Sequence, residues 1–330
     1  MRTCHKTYIM KSTLCYTAKS IKSSLHRNGR VYTQRDTDGN DGEEFGYEEE
    51  KHVVRIRDAR LLDEDKKCRI GPNGFELLEH PLQRPGLNFY DHEEVLQKFY
   101  PECAEVLKQV TGADRVFAFD HNIRSAEGRD SNSQIAGGQR VQGPIHSVHG
   151  DYTLASAPQR LRDLSFPPGI NDTLRSFLPE GNSLLEKDLI ERALGEDGRF
   201  ALVNLWRNID SEPVAADPLG LCDAQTVHPD ELVVYEIHYR DRIGENYVVK
   251  FSPDHEWWFY PAMNRDEVVL IKQWDSAGMF ALSEGKYADS RGDQENAPGT
   301  FSFHTAFENP DTAPDAPDRK SIEVRCVVIY

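Results

Sequence analysis

His149 and Asp151 stand one residue apart in "SVHGDYT" (147–153). In an extended strand, residues two apart project to the same side. An imidazole and a carboxylate would then leave one face together, with Gly150 adding no bulk between them. That pair supplies two of the three ligands of a 2-His-1-carboxylate facial triad, the set that leaves one face of an iron(II) ion open. By itself H-x-D is equally the pattern of an ordinary hydrogen-bonded pair. The metal reading needs a histidine on a later strand lying beside this one.

Four histidines follow: His228, His238, His255 and His304. His228 precedes Pro229 and reads as a loop residue. His238 alternates with Val234, Glu236 and Arg240 on one strand face and reads as solvent-facing. His255 opens a strand after a turn. His304 lies mid-strand in "TFSFHTAFENP" (300–310), with another strand directly after it, and is the best placed as third ligand. His146, three residues before His149, falls on the opposite strand face. Downstream, Arg319 and Ser321 share a face at the start of the last strand. A guanidinium fork plus a hydroxyl at that spacing suits a carboxylate. A metal triad beside an arginine–serine pocket is the chemistry of an Fe(II)/2-oxoglutarate oxygenase.

These ligands need strands to carry them. The second half of the chain is rich in short runs of β-branched and aromatic residues separated by Gly, Pro, Asp or Asn: 199–209, 231–240, 246–252, 255–263, 267–276, 300–308 and 321–330. Many consecutive strands with few helices between them predict an antiparallel sandwich or barrel. The fold expectation is therefore mainly β with helical elaboration, on a double-stranded β-helix (jelly-roll) core. Earlier in the chain, 51–60 and 115–124 read as strands. Residues 91–112 have helical spacing, with a break or re-entry at Pro101, and 171–195 form a second helical patch. Residues 125–144 are rich in Gly, Ser, Gln and Asn and read as a mobile loop. The division expected is an N-terminal arm over 1–50, polar and mobile in part, then one oxygenase domain over 51–330. Within the arm, residues 1–30 are basic and 36–51 are strongly acidic, which reads as a solvated segment.

Composition narrows the partners. The 330-residue chain carries a net charge of −16. An acidic surface repels phosphate backbones and anionic lipid, so neither nucleic acid nor membrane is expected as a partner. No apolar run is long enough to span a bilayer, and the first twenty residues lack the apolar segment of a secretory signal. Six dispersed cysteines without a C-x-x-C pair fit a reduced, cytoplasmic protein. The partners left are a small-molecule substrate and O2, with a homo-oligomer neither required nor excluded.

The chain resembles the Fe(II)/2-oxoglutarate dioxygenases with an H-x-D…H…R-x-S pattern. More narrowly, it looks like the fungal AsaB-type hydroxylase/desaturase family, related to the small component of cephamycin 7-alpha-methoxylase. The resemblance is carried by "FDHNIR" (119–124), "VHGDYT" (148–153), "VNLWRNI" (203–209), "DPLGLCDAQTV" (217–227), "HEWWFYPAMNRDEVVLIKQWDS" (255–276), "FHTAFENP" (303–310) and "RKSIEVR" (319–325). It weakens before residue 50. Where the family has Trp-Arg-Pro, this chain has Trp206-Arg207-Asn208.

The resemblance implies that His149, Asp151 and His304 hold Fe(II). It implies that Arg319 and Ser321 hold the distal carboxylate of 2-oxoglutarate, with Arg325 supporting them. The spacing from His304 to Arg319 is longer than in many such oxygenases, so Arg325 and Arg207 stand as alternative anchors. The implied reaction hydroxylates, desaturates or oxidatively cyclises a small specialised metabolite of secondary metabolism, releasing succinate and CO2. Two other readings share the triad. One is a cupin-like metalloenzyme that does not use 2-oxoglutarate; the other is a non-catalytic accessory subunit of another enzyme.

Overall fold

The computed structural model describes residues 9–36, 41–130, 133, 135, 140–291 and 297–330. Fifteen strands among them form two sheets. In order across the larger sheet these are β1 (Ile9–Thr17), β4 (Glu49–Asp58), β12 (Trp257–Phe259), β9 (Leu219–Cys222), β14 (His304–Ala306), β7 (His149–Gly150), β11 (Ile243–Val249), β10 (Leu232–His238), β2 (Tyr32–Arg35) and β3 (Asp41–Phe45). Across the smaller sheet they are β5 (Phe75–Glu79), β13 (Glu267–Asp275), β8 (Phe200–Asn208), β15 (Ser321–Ile329) and β6 (Arg115–Arg124).

This corrects the jelly-roll expectation. Neither sheet closes on itself: β1 and β3 are the free edges of one, β5 and β6 those of the other. The architecture is a mixed α/β fold of two sheets with several helices. Closure depends on which strands pair, and here the pairings are non-local. β2 joins β10 in parallel, and β4 joins β12 in parallel. Alternation along a sequence predicts strands but not these neighbours.

The first fifty residues supply three of the larger sheet's strands. β1 pairs with β4 along its whole length, from Ile9↔Arg57 to Thr17↔Glu49. Met10, Ser12, Leu14 and Tyr16 point inward from it. β3 lies in the acidic stretch read as solvated, and its described side chains are exposed. Residues 1–8 and 37–40 of the expected arm lie outside the described residues, as do 131, 132, 134 and 136–139 of the loop expected to be mobile.

Every residue of β8 is buried. A strand covered on both faces reads as a continuous apolar run, which is how "FALVNLW" reads. The helix Tyr100–Thr111 packs on β6 and β15. It follows a turn His92–Glu94 and a π-helical segment Val95–Phe99, so the break or re-entry expected at Pro101 takes the form of a re-entry: the α-helical segment starts at Tyr100. Pro101 sits in the first turn of the α-helical segment, where its missing N–H and fixed φ are tolerated. Asp91 caps the start by accepting from the Glu94 N–H at 3.1 Å. Gly112 ends it in the left-handed region, φ +67°, with its N–H on the Lys108 carbonyl. The second helical patch is shorter than expected: a 3-10 turn Thr173–Ser176 and a helix Lys187–Ala193.

Asp275 ends β13 fully buried between two cations. Lys272 Nζ lies 3.0 Å from its carboxylate, and Arg199 grips it with Nε at 3.1 Å and Nη2 at 2.8 Å. Burial alone would raise its pKa, but Lys272 and Arg199 outweigh burial and hold the carboxyl below its ordinary value. The stability this gives is fully present above the unfolded value of about 3.9, and is lost as pH falls through the depressed folded value. Asp275→Asn should cost about 3–5 kcal/mol near neutral pH. It should also flatten the acid limb of stability measured by urea melts across pH.

Candidate metal centre

β7 is two residues long and lies between β14 and β11. His149 faces His304 across one pairing and Val248 across the other. The register sets the two imidazoles side by side, with ring centroids 4.4 Å apart. Asp151 follows β7 directly, and its N–H donates to Gln273 Oε1 at 3.0 Å. His149 Nε2 lies 3.9 Å from Asp151 Oδ1. One ligand atom from each of His149, Asp151 and His304 lies within 4.8 Å of the others. Gly150 is not forced by space: a Cβ there would meet the Phe303 ring at 3.5 Å, an ordinary contact.

The donor set fits a divalent metal. The His149 Nδ1–H points to the Ser147 carbonyl at 2.9 Å, which fixes the tautomer and leaves Nε2 as a ligand. His304 Nδ1 is buried with no well-formed hydrogen bond, and the Ser302 backbone is the acceptor that acts on this ring. Burial, reinforced by the neighbouring His304 ring, pushes His149 down to about 4. Burial likewise lowers His304. Both rings are neutral near neutral pH, with lone pairs available. Burial would raise Asp151, but Arg325, joined by the two imidazoles where they protonate at low pH, outweighs it and holds the carboxyl well below its usual range. Two neutral nitrogens and one carboxylate with an open side are the ligands of a mononuclear Fe(II) centre.

The smaller sheet supports this triad. Ser321, Glu323 and Arg325 alternate along one face of β15. They lie opposite Arg124, Asn122 and Asp120 of β6 on one side and Asn208, Trp206 and Asn204 of β8 on the other. Arg325 Nε donates to Asp151 Oδ2 at 3.1 Å. Its Nη1 donates to Asp120 Oδ2 at 2.9 Å and Asn122 Oδ1 at 2.5 Å, and Glu323 lies 3.6 Å from Nη2. Asn204 Nδ2 donates to Asp151 Oδ2 at 2.9 Å and to Glu323 Oε1 at 2.8 Å. Arg325 therefore orients the carboxylate ligand, and its donors are already engaged.

The other two arginines differ sharply. Arg207, 1% exposed, donates to the Arg265 and His80 carbonyls at 2.7 and 2.8 Å, with Glu102 3.9 Å away. It is committed to the fold. Arg319 is buried over the Trp206 ring at 5.7 Å and donates through Nη1 to the Asp217 carbonyl. Its Nε and the Ser321 Oγ are buried without partners. Burial lowers Arg319 to about 10, so it stays charged near neutral pH.

His238, His255, His121, Trp257 and Trp274 are held in the fold by other partners. His238 pairs with Glu236 at 2.9 Å and His255 with Glu231 at 3.0 Å. His121 meets the Tyr100 hydroxyl at 2.9 Å. Trp257 donates to the Tyr16 hydroxyl at 2.7 Å, and Trp274 is core. His146 lies 3.5 Å from Asp217, away from the triad. His149, Asp151 and Arg325 border a cavity of about 690 Å³ whose wall also includes Tyr152, Phe119 and Arg124. Asn204 and Gln273, which hold Asp151, went unnoticed in the sequence. Each is a lone amide inside an apolar run, "ALVNLW" and "VVLIKQW", and that isolation is the available signal.

Fold and site together define a mononuclear metal oxidoreductase. The chain belongs to the family described as Oxidoreductase/YMDC permease-like domain, whose profile matches residues 14–329. No helix among the described residues is long and apolar enough to cross a membrane. The chain is 45% identical over 195 residues to a protein in the dcmA 3' region of Methylophilus leisingeri, covering 59% of this chain and 88% of that one. It is 30% identical to the alpha-ketoglutarate-dependent dioxygenase phiK of a fungal species, over 84% of this chain and 83% of the relative. It is thus related to the fungal hydroxylase/desaturase-type oxidoreductases dependent on Fe(II) and 2-oxoglutarate. The structure of the iron and alpha-ketoglutarate-dependent endoperoxidase NvfI superposes with a TM-score of 0.70 at 24% identity, covering 97% of both chains, and shares the fold.

Proposed function

We infer that the chain is a non-heme Fe(II)/2-oxoglutarate-dependent oxygenase that oxidises a small metabolite with O2. The observation that carries this is the convergence of His149, Asp151 and His304 on one open-sided set of ligand atoms. Iron held there supplies the activation of dioxygen, coupled to decarboxylation of 2-oxoglutarate to succinate and CO2. The protein's own part is positional. Arg325 and Asn204 fix the carboxylate ligand, Ser147 fixes one imidazole, and the strand register sets the spacing.

For the co-substrate, Arg319 and Ser321 are the proposed anchor of the distal carboxylate. Each has a buried polar atom without a partner, whereas Arg325 and Arg207 are spent on protein acceptors. The reaction type is hydroxylation, desaturation or oxidative cyclisation. The relatives span hydroxylase/desaturase-type enzymes; the narrower kinship with the AsaB and cephamycin-methoxylase lineage rests on the quoted motifs alone. A cytoplasmic location belongs to the same proposal, which is compatible with a monomer or a homo-oligomer.

Two measurements test the reading. Purified protein with Fe(II), 2-oxoglutarate and air should release succinate, and a chelator should stop it. Arg319→Met should raise the KM for 2-oxoglutarate by about 10–100-fold, the loss of a charge-assisted fork. Arg207→Met should lower the melting temperature and leave that KM unchanged. The reverse pattern would make Arg207 the anchor. Iron binding without any interaction with 2-oxoglutarate would favour the cupin-like reading instead.

A further inference from the structure

Arg124 closes the stretch "FDHNIR" (119–124) and stands at the end of β6. Register makes it the direct cross-strand neighbour of Ser321, whose neighbour on the other side is Asn208 of β8. Residues paired in this way share a face of the sheet, with Cβ atoms about 5 Å apart. Arg319 reaches the same face from the β8 side. Its guanidinium lies 5.7 Å over the ring of Trp206, which stands opposite Glu323. The buried Ser321 Oγ, which has no hydrogen-bond partner, thus has one guanidinium towards β6 and another towards β8.

One nitrogen of Arg124 is committed to the fold. Nη1 donates to Gln142 Oε1 at 2.8 Å and to the Gly143 carbonyl at 3.3 Å, tying residues 142–143 to the end of β6. Among the described residues, Nε and Nη2 have no hydrogen-bond partner. Acids act on both arginines from a distance, and each acid is engaged elsewhere. Glu323 and Asp151 act on Arg124. Glu323 accepts from Asn204 at 2.8 Å and lies 3.6 Å from Arg325, while Asp151 accepts from Asn204 at 2.9 Å and Arg325 at 3.1 Å. Asp217, Glu323 and Asp318 act on Arg319. The Asp217 carboxylate lies 3.5 Å from His146, and Asp318 accepts from Ser125 Oγ at 2.6 Å and from the Ala126 and Glu127 N–H groups. Burial lowers both arginines to about 10, so both stay charged near neutral pH, and Arg124 adds to the lowering of Arg319. The two charges therefore feel each other across Ser321.

Resting on the oxygenase reading above, we propose that two arginines hold the distal carboxylate of 2-oxoglutarate: it docks over Ser321 between Arg319 and Arg124. Arg124 is then the residue that, with Arg319, selects a 2-oxo diacid over a 2-oxo monoacid. A carboxylate offers about four lone-pair positions, enough for two guanidiniums and a hydroxyl together. Two like charges in a poorly solvated space are relieved by an anion placed between them. Arg124 lines the cavity with His149, Asp151 and Arg325, whereas Arg319 and Ser321 lie off its wall. The pair therefore joins the open side of the metal centre to the closed pocket behind it.

The test compares 2-oxoglutarate with 2-oxovalerate, which share an iron-chelating head and differ at the far end, carboxylate against methyl. Each is titrated anaerobically into Fe(II)-loaded protein and followed by the visible charge-transfer absorption of the chelate. Wild type should bind 2-oxoglutarate about 100-fold more tightly than 2-oxovalerate. Arg124→Gln should weaken 2-oxoglutarate by about tenfold or more and leave 2-oxovalerate within about twofold. Arg124→Lys, which keeps the charge and loses the fork, should fall between. Gln142→Leu, which removes an acceptor that ties Arg124 to the fold, should keep the full preference. An unchanged preference in Arg124→Gln, or equal weakening of both acids, overturns the proposal. So does a loss in Gln142→Leu as large as that in Arg124→Gln, which would make Arg124 a strap. Should Arg124→Gln not fold, Arg124→Lys decides: a loss confined to 2-oxoglutarate supports the second arm, and any other result overturns it. A wild-type chelate with no selective loss in the Arg124 variants fails only the second arm. No chelate with either acid in wild type fails the oxygenase reading and takes the proposal with it.

Discussion

Arg325→Gln should weaken iron binding by about 10–100-fold and destabilise the fold by about 3–5 kcal/mol. The reason is how many acids depend on one guanidinium. Arg325 donates to Asp151 and Asp120 and lies beside Glu323, and its side chain is largely buried. Removing the cation leaves these carboxylates close together in a poorly solvated space, where like charges repel and one must take up a proton. Asp151 is the ligand held lowest by that cation. Without Arg325 its pKa rises, protons compete with iron, and iron binding becomes weaker toward acid pH. Iron affinity followed from pH 5 to 8 checks this. A variant whose affinity falls equally at all pH values has lost geometry rather than charge.

His304→Ala should have the opposite division of effects. It removes a ligand outright, so iron affinity should fall by well over ~100-fold, beyond the range expected for a supporting residue. The Arg325 clamp stays intact, so the carboxylates keep their cation. The stability loss should therefore be that of a buried ring deleted from β14, about 2–4 kcal/mol. Succinate release should fall to background while the secondary-structure signal by circular dichroism is retained. Comparing the two variants separates holding the metal from holding the acid that holds the metal.

Much of the site was legible because its signals are local. The i, i+2 spacing of His149 and Asp151 and the strand setting of His304 singled out the three ligands, although β7 stops at Gly150 just before Asp151 and His304 opens β14 rather than lying in its middle. The neighbours that complete the site are non-local. Arg325 meets Asp120 and Asn122 only through the pairing of β15 with β6, two hundred residues apart in sequence. No spacing rule joins them, so the contacts of Arg325 with Asp151, Asp120 and Asn122 were not legible in the sequence. Sheet closure was illegible for the same reason: alternation identifies β8 and β13 as strands but does not say which edges stay open. β1 was missed. It was not read as a strand, although Met10, Leu14 and Tyr16 at even spacing already marked an inward face.

Iron retention gives the most direct test of the central claim. Protein dialysed anaerobically against Fe(II), with and without 2-oxoglutarate, should hold one iron per chain. Added 2-oxoglutarate should slow the loss of that iron to a chelator, because co-substrate and metal share one site. In His149→Ala and His304→Ala chains the tightly held iron should disappear. Equal iron content in wild type and both variants, or iron loss indifferent to 2-oxoglutarate, would contradict the account.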